Sequence, residues 1–266
     1  MKIAVLGGGN LGRALAQGWV AAGLAPTGDV RVTRRQTEKL DDLARDGFEV
    51  GDDNRAAVEA SDVVVLAVQP QQLKELLEDV GPSLDPEHHR VVSVVSGASI
   101  AGLREALPHG VPVVRAMPNT AVSIGESMTC LSADDGDEQA LTEAVALFDA
   151  VGKTLVIREE MMVPATALCA CGVAFFLRCI RAASQGGIEI GFHPEEALLL
   201  AGQTARGAAA LSLKEDTHPE EEIDRVTTPR GCTIAGLNEM EHQGLSSALI
   251  KGLIVSARAA EGLYQE

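Results

Sequence analysis

The segment Gly7-Gly8-Gly9-Asn10-Leu11-Gly12 restricts the fold of this chain more than any other stretch. It directly follows the apolar run Ile3–Leu6 and leads into an amphipathic stretch, Leu11–Ala22. Gly7, Gly9 and Gly12 stand at the G-x-G-x-x-G spacing of a strand–turn–helix unit that receives a dinucleotide. Gly7 permits the tight turn, Gly9 lets the backbone approach a pyrophosphate, and Gly12 lets helix and strand pack closely. The helix start at Asn10 and Leu11 supplies oriented N–H donors for the anion. A glycine-rich turn without a ligand is the alternative.

The alternation continues down the chain. Apolar runs recur at Val30–Thr33, Val63–Val68, Val91–Val95, Val111–Arg115, Met128–Leu131 and Leu155–Ile157. Between them lie the amphipathic stretches Gln36–Arg45, Gln71–Val80, Ser99–Leu107 and Asp137–Val151. Strands alternating with helices predict βαβ units on a buried, mostly parallel sheet. From Glu159 the texture changes to long helical patterns: Met161–Ser184, Pro194–Leu213, Ile234–Gln243 and Leu245–Leu263. Pro194 followed by Glu195 and Glu196 marks a helix start. The expectation is an α/β chain: an N-terminal Rossmann domain, doubly wound, over 1–158, then an all-helical domain over 159–266. That division suits 266 residues at roughly 150 per domain. Ala- and Leu-rich helices that are apolar on several faces point to a dimerisation domain. A monomer whose helices pack on the sheet is the alternative.

Charge narrows the partners. Lys+Arg 22 against Asp+Glu 38 gives a net charge of −16, which repels phosphate backbones, so no nucleic-acid partner is expected. Only six of the cations are Lys, and an acidic, Lys-poor surface suits concentrated salt; a melting temperature that rises with salt is the expected sign. The odd set Cys130, Cys169, Cys171, Cys179 and Cys232 lacks any CxxC, and no secretory leader is read at the start. A reducing, cytoplasmic location follows. No apolar run is read as long enough to span a bilayer, the longest being broken by Arg or Gly, so no membrane partner is expected. The histidines, His88-His89 in a polar loop included, share no ligand spacing, and no metal is expected.

The end of the second strand discriminates between cofactors. An NAD site usually places an acid there for the ribose 2′-hydroxyl. This chain reads Thr33-Arg34-Arg35; two cations and a hydroxyl suit a 2′-phosphate, favouring NADPH over NADH. A solvated pair of charges is the alternative. Asn54, after the third strand, is placed at the adenosine end. Ala67-Val68-Gln69-Pro70 ends the fourth strand at the carboxyl edge of the sheet, and Ser96 and Pro118 complete the candidate cofactor set.

Four segments in order carry a wider likeness. The chain resembles the pyrroline-5-carboxylate reductase family in Gly7–Gly12, in Ala67-Val68-Gln69-Pro70 (similar to its Ala-Val-Lys-Pro), in Arg115-Ala116-Met117-Pro118-Asn119-Thr120 with Gly125–Thr129, and above all in Arg225–Leu237. The last resembles the family signature Val-Thr-Ser-Pro-Gly-Gly-Thr-Thr-Ile-Ala-Gly-Leu. The resemblance implies a Rossmann domain, an interlocking helical dimer that associates further, and reduction of the C=N bond of 1-pyrroline-5-carboxylate to L-proline by NADPH or NADH. It places the substrate beside the nicotinamide, gripped by the signature loop. Gly231, Cys232 and Thr233 then offer N–H groups to the substrate carboxylate at a helix start, and Thr228 adds a hydroxyl. By the same analogy the Thr233 hydroxyl bonds the ring nitrogen and is the candidate catalytic group. Turn and cap roles are the plain alternative for both threonines.

Three positions depart from the family pattern. Cys169-Ala170-Cys171-Gly172-Val173-Ala174 stands where the family has Ser-Gly-Ser-Gly-Pro-Ala, and the missing Pro lets the helix begin earlier. Arg230 replaces the first Gly of a Pro-Gly-Gly turn and is strained if that position needs a positive φ. Gln69 replaces a Lys. These departures leave two rivals: an NADP-binding paralogue with a regulatory role, and a reductase of another cyclic imine. A β-hydroxyacid dehydrogenase shares the two-domain plan, but no Lys lies between Lys153 and Lys214 to serve as its acid/base.

Overall fold

The computed structural model describes residues 1–214 and 218–262. They fall into two compact units, Met1–Cys171 with the residues after Val255, and Gly172–Val255. The first alternates β1 (Ile3–Leu6), α1 (Asn10–Ala21), β2 (Val30–Thr33), α2 (Asp41–Arg45), β3 (Glu49–Gly51), α3 (Asn54–Glu59), β4 (Val63–Leu66) and α4 (Pro70–Val80). It continues with β5 (Arg90–Ser93), α5 (Ile100–Ala106), β6 (Val113–Met117), β7 (Ser127–Ala133), α6 (Glu138–Asp149), β8 (Gly152–Val156) and α7 (Met162–Ala165).

One eight-stranded sheet runs β3-β2-β1-β4-β5-β6-β7-β8. Every neighbouring pair is parallel except β6 and β7. The doubly wound, mostly parallel sheet expected above is therefore present, and its direction of winding reverses between β1 and β4, where ligands bind in such sheets. Period-two geometry explains the continuous apolar runs. Ile3, Val5, Val63 and Val65 pack into one core with α1 and α6, while Ala4, Leu6, Val64 and Leu66 pack into another with α4 and α5. Both faces of β1 and β4 are covered, and every position in these two strands is apolar. Trp19 is fully buried in the first core and donates its indole N–H to the Leu147 carbonyl at 2.8 Å.

Some boundaries differ from the sequence expectation. β3 is absent from the apolar runs because only Val50 is apolar in it. The 36–45 stretch divides into a 3₁₀ turn, Thr37–Leu40, and the short α2. The run at 111–115 shifts to β6, after Pro112, whose missing N–H suits a position before the strand. His89 lies in the polar loop before β5, yet it is only 3% exposed. Its Nδ1 accepts from the Asp85 N–H at 2.8 Å and its Nε2 faces the Val58 carbonyl at 3.1 Å.

After α7 comes a π-helical turn, Thr166–Cys171, then α8 (Gly172–Glu189), α9 (Pro194–Ser212), α10 (Pro219–Val226), α11 (Cys232–His242) and α12 (Leu245–Gly262). Leu263, the expected end of the last helix, lies outside the described residues. Pro194 and Pro219 open α9 and α10 with Glu195, Glu196 and Glu220–Glu222 in the first turns, against the positive ends of the helix dipoles. The expectation that no segment could span a bilayer is corrected. Glu159–Glu189 forms 31 continuous helical residues, long and apolar enough by length and composition, because too few charges interrupt it. In the second unit α8 and α9 pack so closely that a Cβ on Gly187 would stand 3.0 Å from the Ala197 Cβ. Elsewhere its apolar side chains are uncovered: Phe176, Leu177, Leu198, Leu199 and Ile250 are each more than half exposed.

Candidate active site

A cavity of about 980 Å³ opens at the carboxyl edge of the first unit's sheet. It is lined by Gly7, Gly8 and Gly9, by Thr33 at the end of β2 with Arg34 and Arg35 after it, by Asn54 of α3, and by Ala67, Val68 and Gln69 after β4. Backbone pairing builds the glycine loop: the N–H groups of Gly7 and Gly8 both donate to the Thr33 carbonyl, at 3.2 and 2.7 Å. Gly7 has φ +121, and a Cβ there would lie 2.4 Å from the Ala67 carbonyl oxygen. At Gly12 it would lie 2.1 Å from the Gly7 oxygen. Gly9 differs, since a Cβ there would meet nothing within 4 Å.

Gly9 is also the N-cap of α1, with no side-chain cap and no acid in the first turn. The first N–H groups of a helix have no partner within it, so the chain leaves both room and unpaired donors where an anion fits. These residues suit the pyrophosphate of a dinucleotide. Asn10 and Leu11 stand at that helix start, outside the cavity wall, and Gly12 is buried beneath it. Pro70, half-buried Ser96 and buried Pro118 are not part of the wall either.

Arg34 reaches back over the loop and donates from Nη1 to the Gly8 carbonyl at 2.7 Å, and Arg35 is exposed beside it. Thr33 is buried and its Oγ1 donates to Asn54 Oδ1 at 2.7 Å. The hydroxyl counted toward a 2′-phosphate is thus committed to Asn54, which leaves the two arginines. Sequence reasoning missed the rest of the lining, among it Gln72, Glu75, Leu76, Glu78 and Asp79 of α4, with Asp52 and Arg55. The signal was there: Gln69, Gln72, Leu76 and Asp79 recur at helical spacing on one face. Arg55 Nε donates to Asp79 Oδ1 at 2.8 Å.

In the second unit the signature segment places Thr228 beside the start of α11. A Cβ on Gly231 would lie 2.5 Å from Thr228 Oγ1, so only glycine leaves that hydroxyl where it is. Gly231 is the N-cap and has no side chain to offer the helix. The expectation that Gly231 itself offers an N–H is corrected, because it donates to the Thr228 carbonyl at 2.9 Å. Cys232 and Thr233 occupy the first two helical positions, whose N–H groups no helical carbonyl reaches. The arrangement can hold a carboxylate.

Arg230 has φ 60, the only positive value at a non-glycine residue among the described residues. An L-residue in that region costs roughly 1–2 kcal/mol, and glycine elsewhere loses roughly 0.5–1 kcal/mol of entropy. Arg230→Gly is therefore expected to raise stability by about 0.5–1 kcal/mol. A lower denaturant midpoint for the variant would show instead that the Arg230 side chain makes a contact worth more than the strain.

Asn119, of the Met-Pro-Asn-Thr segment, is buried at the end of β6. Its Oδ1 accepts the Ala121 N–H at 2.9 Å and its Nδ2 donates to the Cys169 carbonyl at 3.3 Å.

The chain matches two family descriptions, NADP oxidoreductase coenzyme F420-dependent over residues 2–97 and pyrroline-5-carboxylate reductase dimerisation over residues 159–263. Pyrroline-5-carboxylate reductase 1 of Dictyostelium discoideum is 49% identical over 99% of this chain, which spans 50% of that protein's length. Pyrroline-5-carboxylate reductase 2 of the same organism is 47% identical over 96% of this chain and 91% of its own length. The crystal structure of the Plasmodium falciparum pyrroline carboxylate reductase with NADP bound superposes with a TM-score of 0.90, at 22% identity, over 99% of this chain and 98% of that one. The likeness runs through the glycine loop and the signature segment alike, and this chain belongs to the pyrroline-5-carboxylate reductase family.

Proposed function

We propose that this chain reduces 1-pyrroline-5-carboxylate to L-proline, the closing step of proline synthesis, using NAD(P)H with NADPH preferred. Family membership and the open cradle at Gly9 support the cofactor. The observation that carries the substrate is the start of α11, a helix N-terminus without a side-chain cap inside the signature segment. The bound dinucleotide supplies a hydride to the imine carbon. The protein holds what remains: N–H groups of Cys232 and Thr233 and the Thr228 hydroxyl bind the carboxylate, and the Thr233 hydroxyl orients the ring nitrogen, which takes up a proton as the amine forms. A cyclic imine protonates readily, so positioning and exclusion of water suffice without a strong acid. Asn10, Leu11 and Gly12 belong to the pyrophosphate site, and Ala67, Val68, Gln69, Pro70, Ser96 and Pro118 to the remainder of the cofactor site.

Residues 159–266 form the substrate and dimerisation part of this proposal. A second copy of the chain covers the exposed apolar faces of the helices, which removes any need for a bilayer or a nucleic acid as partner. Five unpaired thiols suit a cytoplasmic location.

Initial rates of NADPH and NADH oxidation with pyrroline-5-carboxylate, at low and high salt, test the activity. Turnover is expected with both cofactors. NADPH binding without turnover at either salt would leave a dinucleotide-binding relative with another role. Exchanging Arg34 and Arg35 for Glu is expected to raise the KM for NADPH by roughly 10–100-fold, the equivalent of losing one or two charge-assisted hydrogen bonds. The KM for NADH should change by less than about threefold, because it has no 2′-phosphate to lose. Equal effects on both would remove the arginines from the 2′ site.

A further inference from the structure

Cys130 lies in β7, 4% exposed, and its Sγ stands 3.8 Å from Sγ of Cys169 in the π-helical turn. Met117, Met162 and Ala165 close an apolar cluster around Cys130, with Cys169 packed against it and half-buried. The Cys169 carbonyl is tethered by Asn119 Nδ2. The proposed reduction uses neither thiol.

The geometry points to a reversible disulfide between Cys130 and Cys169, formed by a peroxide-class oxidant that reaches the pair through Cys169. A disulfide has sulfurs ~2.05 Å apart. The pair, 3.8 Å apart, must therefore close by about 1.8 Å. The two sulfurs have different tasks. The hydrogen bond with the neighbouring Cys130 thiol brings the Cys169 pKa down to about 7 against the opposing effect of burial. The same contact, together with burial, pushes the Cys130 thiol well above its ordinary range. Cys169 is also the more accessible of the two, half-buried where Cys130 is 4% exposed, so it is the thiolate that an oxidant meets first.

The step balances. Cys169 Sγ attacks one oxygen of hydrogen peroxide, the O–O bond breaks, and the departing hydroxide takes up a proton as water, leaving a sulfenic acid. Cys130 Sγ then loses its proton and attacks Cys169 Sγ, displacing the second oxygen as water. Two thiols lose two electrons and one peroxide is reduced to two waters. A thiol reductant reverses the bond. Because a thiolate is required, the rate rises as pH passes through about 7.

The test uses the reduced full chain, treated with hydrogen peroxide, quenched with an alkylating agent in denaturant and mapped by peptide mass. The expected product is a Cys130–Cys169 linked peptide, two hydrogens lighter than the reduced pair, that dithiothreitol removes. C171S should form it unchanged, and C130S should stop at a Cys169 sulfenic acid that dimedone traps. Cys130 fully alkylated after Cys169 is consumed, or Cys169 joined instead to Cys171, would overturn the inference. The mapping of the unmutated chain decides this even if a variant fails to fold.

Discussion

Gly7→Ala is expected to lower stability by about 2–6 kcal/mol and to abolish NADPH binding, whereas Gly9→Ala leaves the melting temperature unchanged and weakens the cofactor alone. The contrast follows from what each added methyl group meets. At Gly7 the backbone sits at φ +121 and the carbonyl of Ala67 occupies the space. A strained φ costs roughly 1–3 kcal/mol and overpacking a further 1–3 kcal/mol. The Ala67 carbonyl belongs to backbone hydrogen-bonded to β1, with the Ala67 N–H on the Leu6 carbonyl at 2.8 Å, so it has no freedom to yield. At Gly9 nothing lies within 4 Å, and the methyl group collides only with what the loop is shaped to receive. Losing one or two charge-assisted hydrogen bonds there corresponds to roughly 10–100-fold in Kd. Fluorescence titration with NADPH, beside thermal melts of both variants, checks the pair. A Gly9→Ala variant that binds NADPH as tightly as the unmutated chain would place the pyrophosphate elsewhere.

Thr233→Ala is expected to lower kcat/KM for pyrroline-5-carboxylate by roughly 10–150-fold, the equivalent of one hydrogen bond to a charged group. NADPH affinity should stay as it is. Thr233→Ser, which keeps the hydroxyl, should recover most of the rate. The helix start itself survives either change, because Gly231 rather than Thr233 is the N-cap. A pure capping role for Thr233 is thereby separated from a role on the substrate: stability would fall in the first case, turnover in the second. Steady-state kinetics of both variants with matched melts distinguish them, and a Thr233→Ala rate within twofold of the unmutated chain would remove the hydroxyl from the reaction.

The centre of the sheet is legible because β1 and β4 are buried on both faces, so Ile3–Leu6 and Val63–Leu66 are written as unbroken apolar runs. β3 is not, since an edge strand of three residues with one apolar side chain carries little pattern. At Gly7 and Gly12 the glycine loop is legible in the sequence, as each answers to a steric demand of the turn, whereas the crowding at Gly8, where a Cβ would lie 2.7 Å from a Leu40 methyl group, depends on a side chain distant in sequence. Arg34 was recognised as a cation near the cofactor, but its bond to the Gly8 carbonyl depends on side-chain reach across two strand ends. Hydroxyl chemistry alone points Thr33 at the ligand and does not reveal that Asn54 already takes its hydrogen. The strain at Arg230 was foreseeable only as a condition, because φ is a property of the folded turn. The pairing of Cys130 with Cys169 joins residues 39 apart in sequence and left no mark in spacing.

The acidic wall that α4 lends to the cavity has a kinetic consequence. A dinucleotide approaches as a polyanion and meets a lining that carries Glu75, Glu78 and Asp52, and Asp79 paired with Arg55, as well as Arg34 and Arg35. At long range the chain's charge of −16 repels it; within a few ångströms the arginines and the helix start attract it. Added salt shortens the reach of charge to about 10 Å at 0.1 M, which suppresses the distant repulsion more than the close attraction. The cofactor is therefore expected to arrive faster as ionic strength rises, the opposite of what an electrostatically steered partner would show.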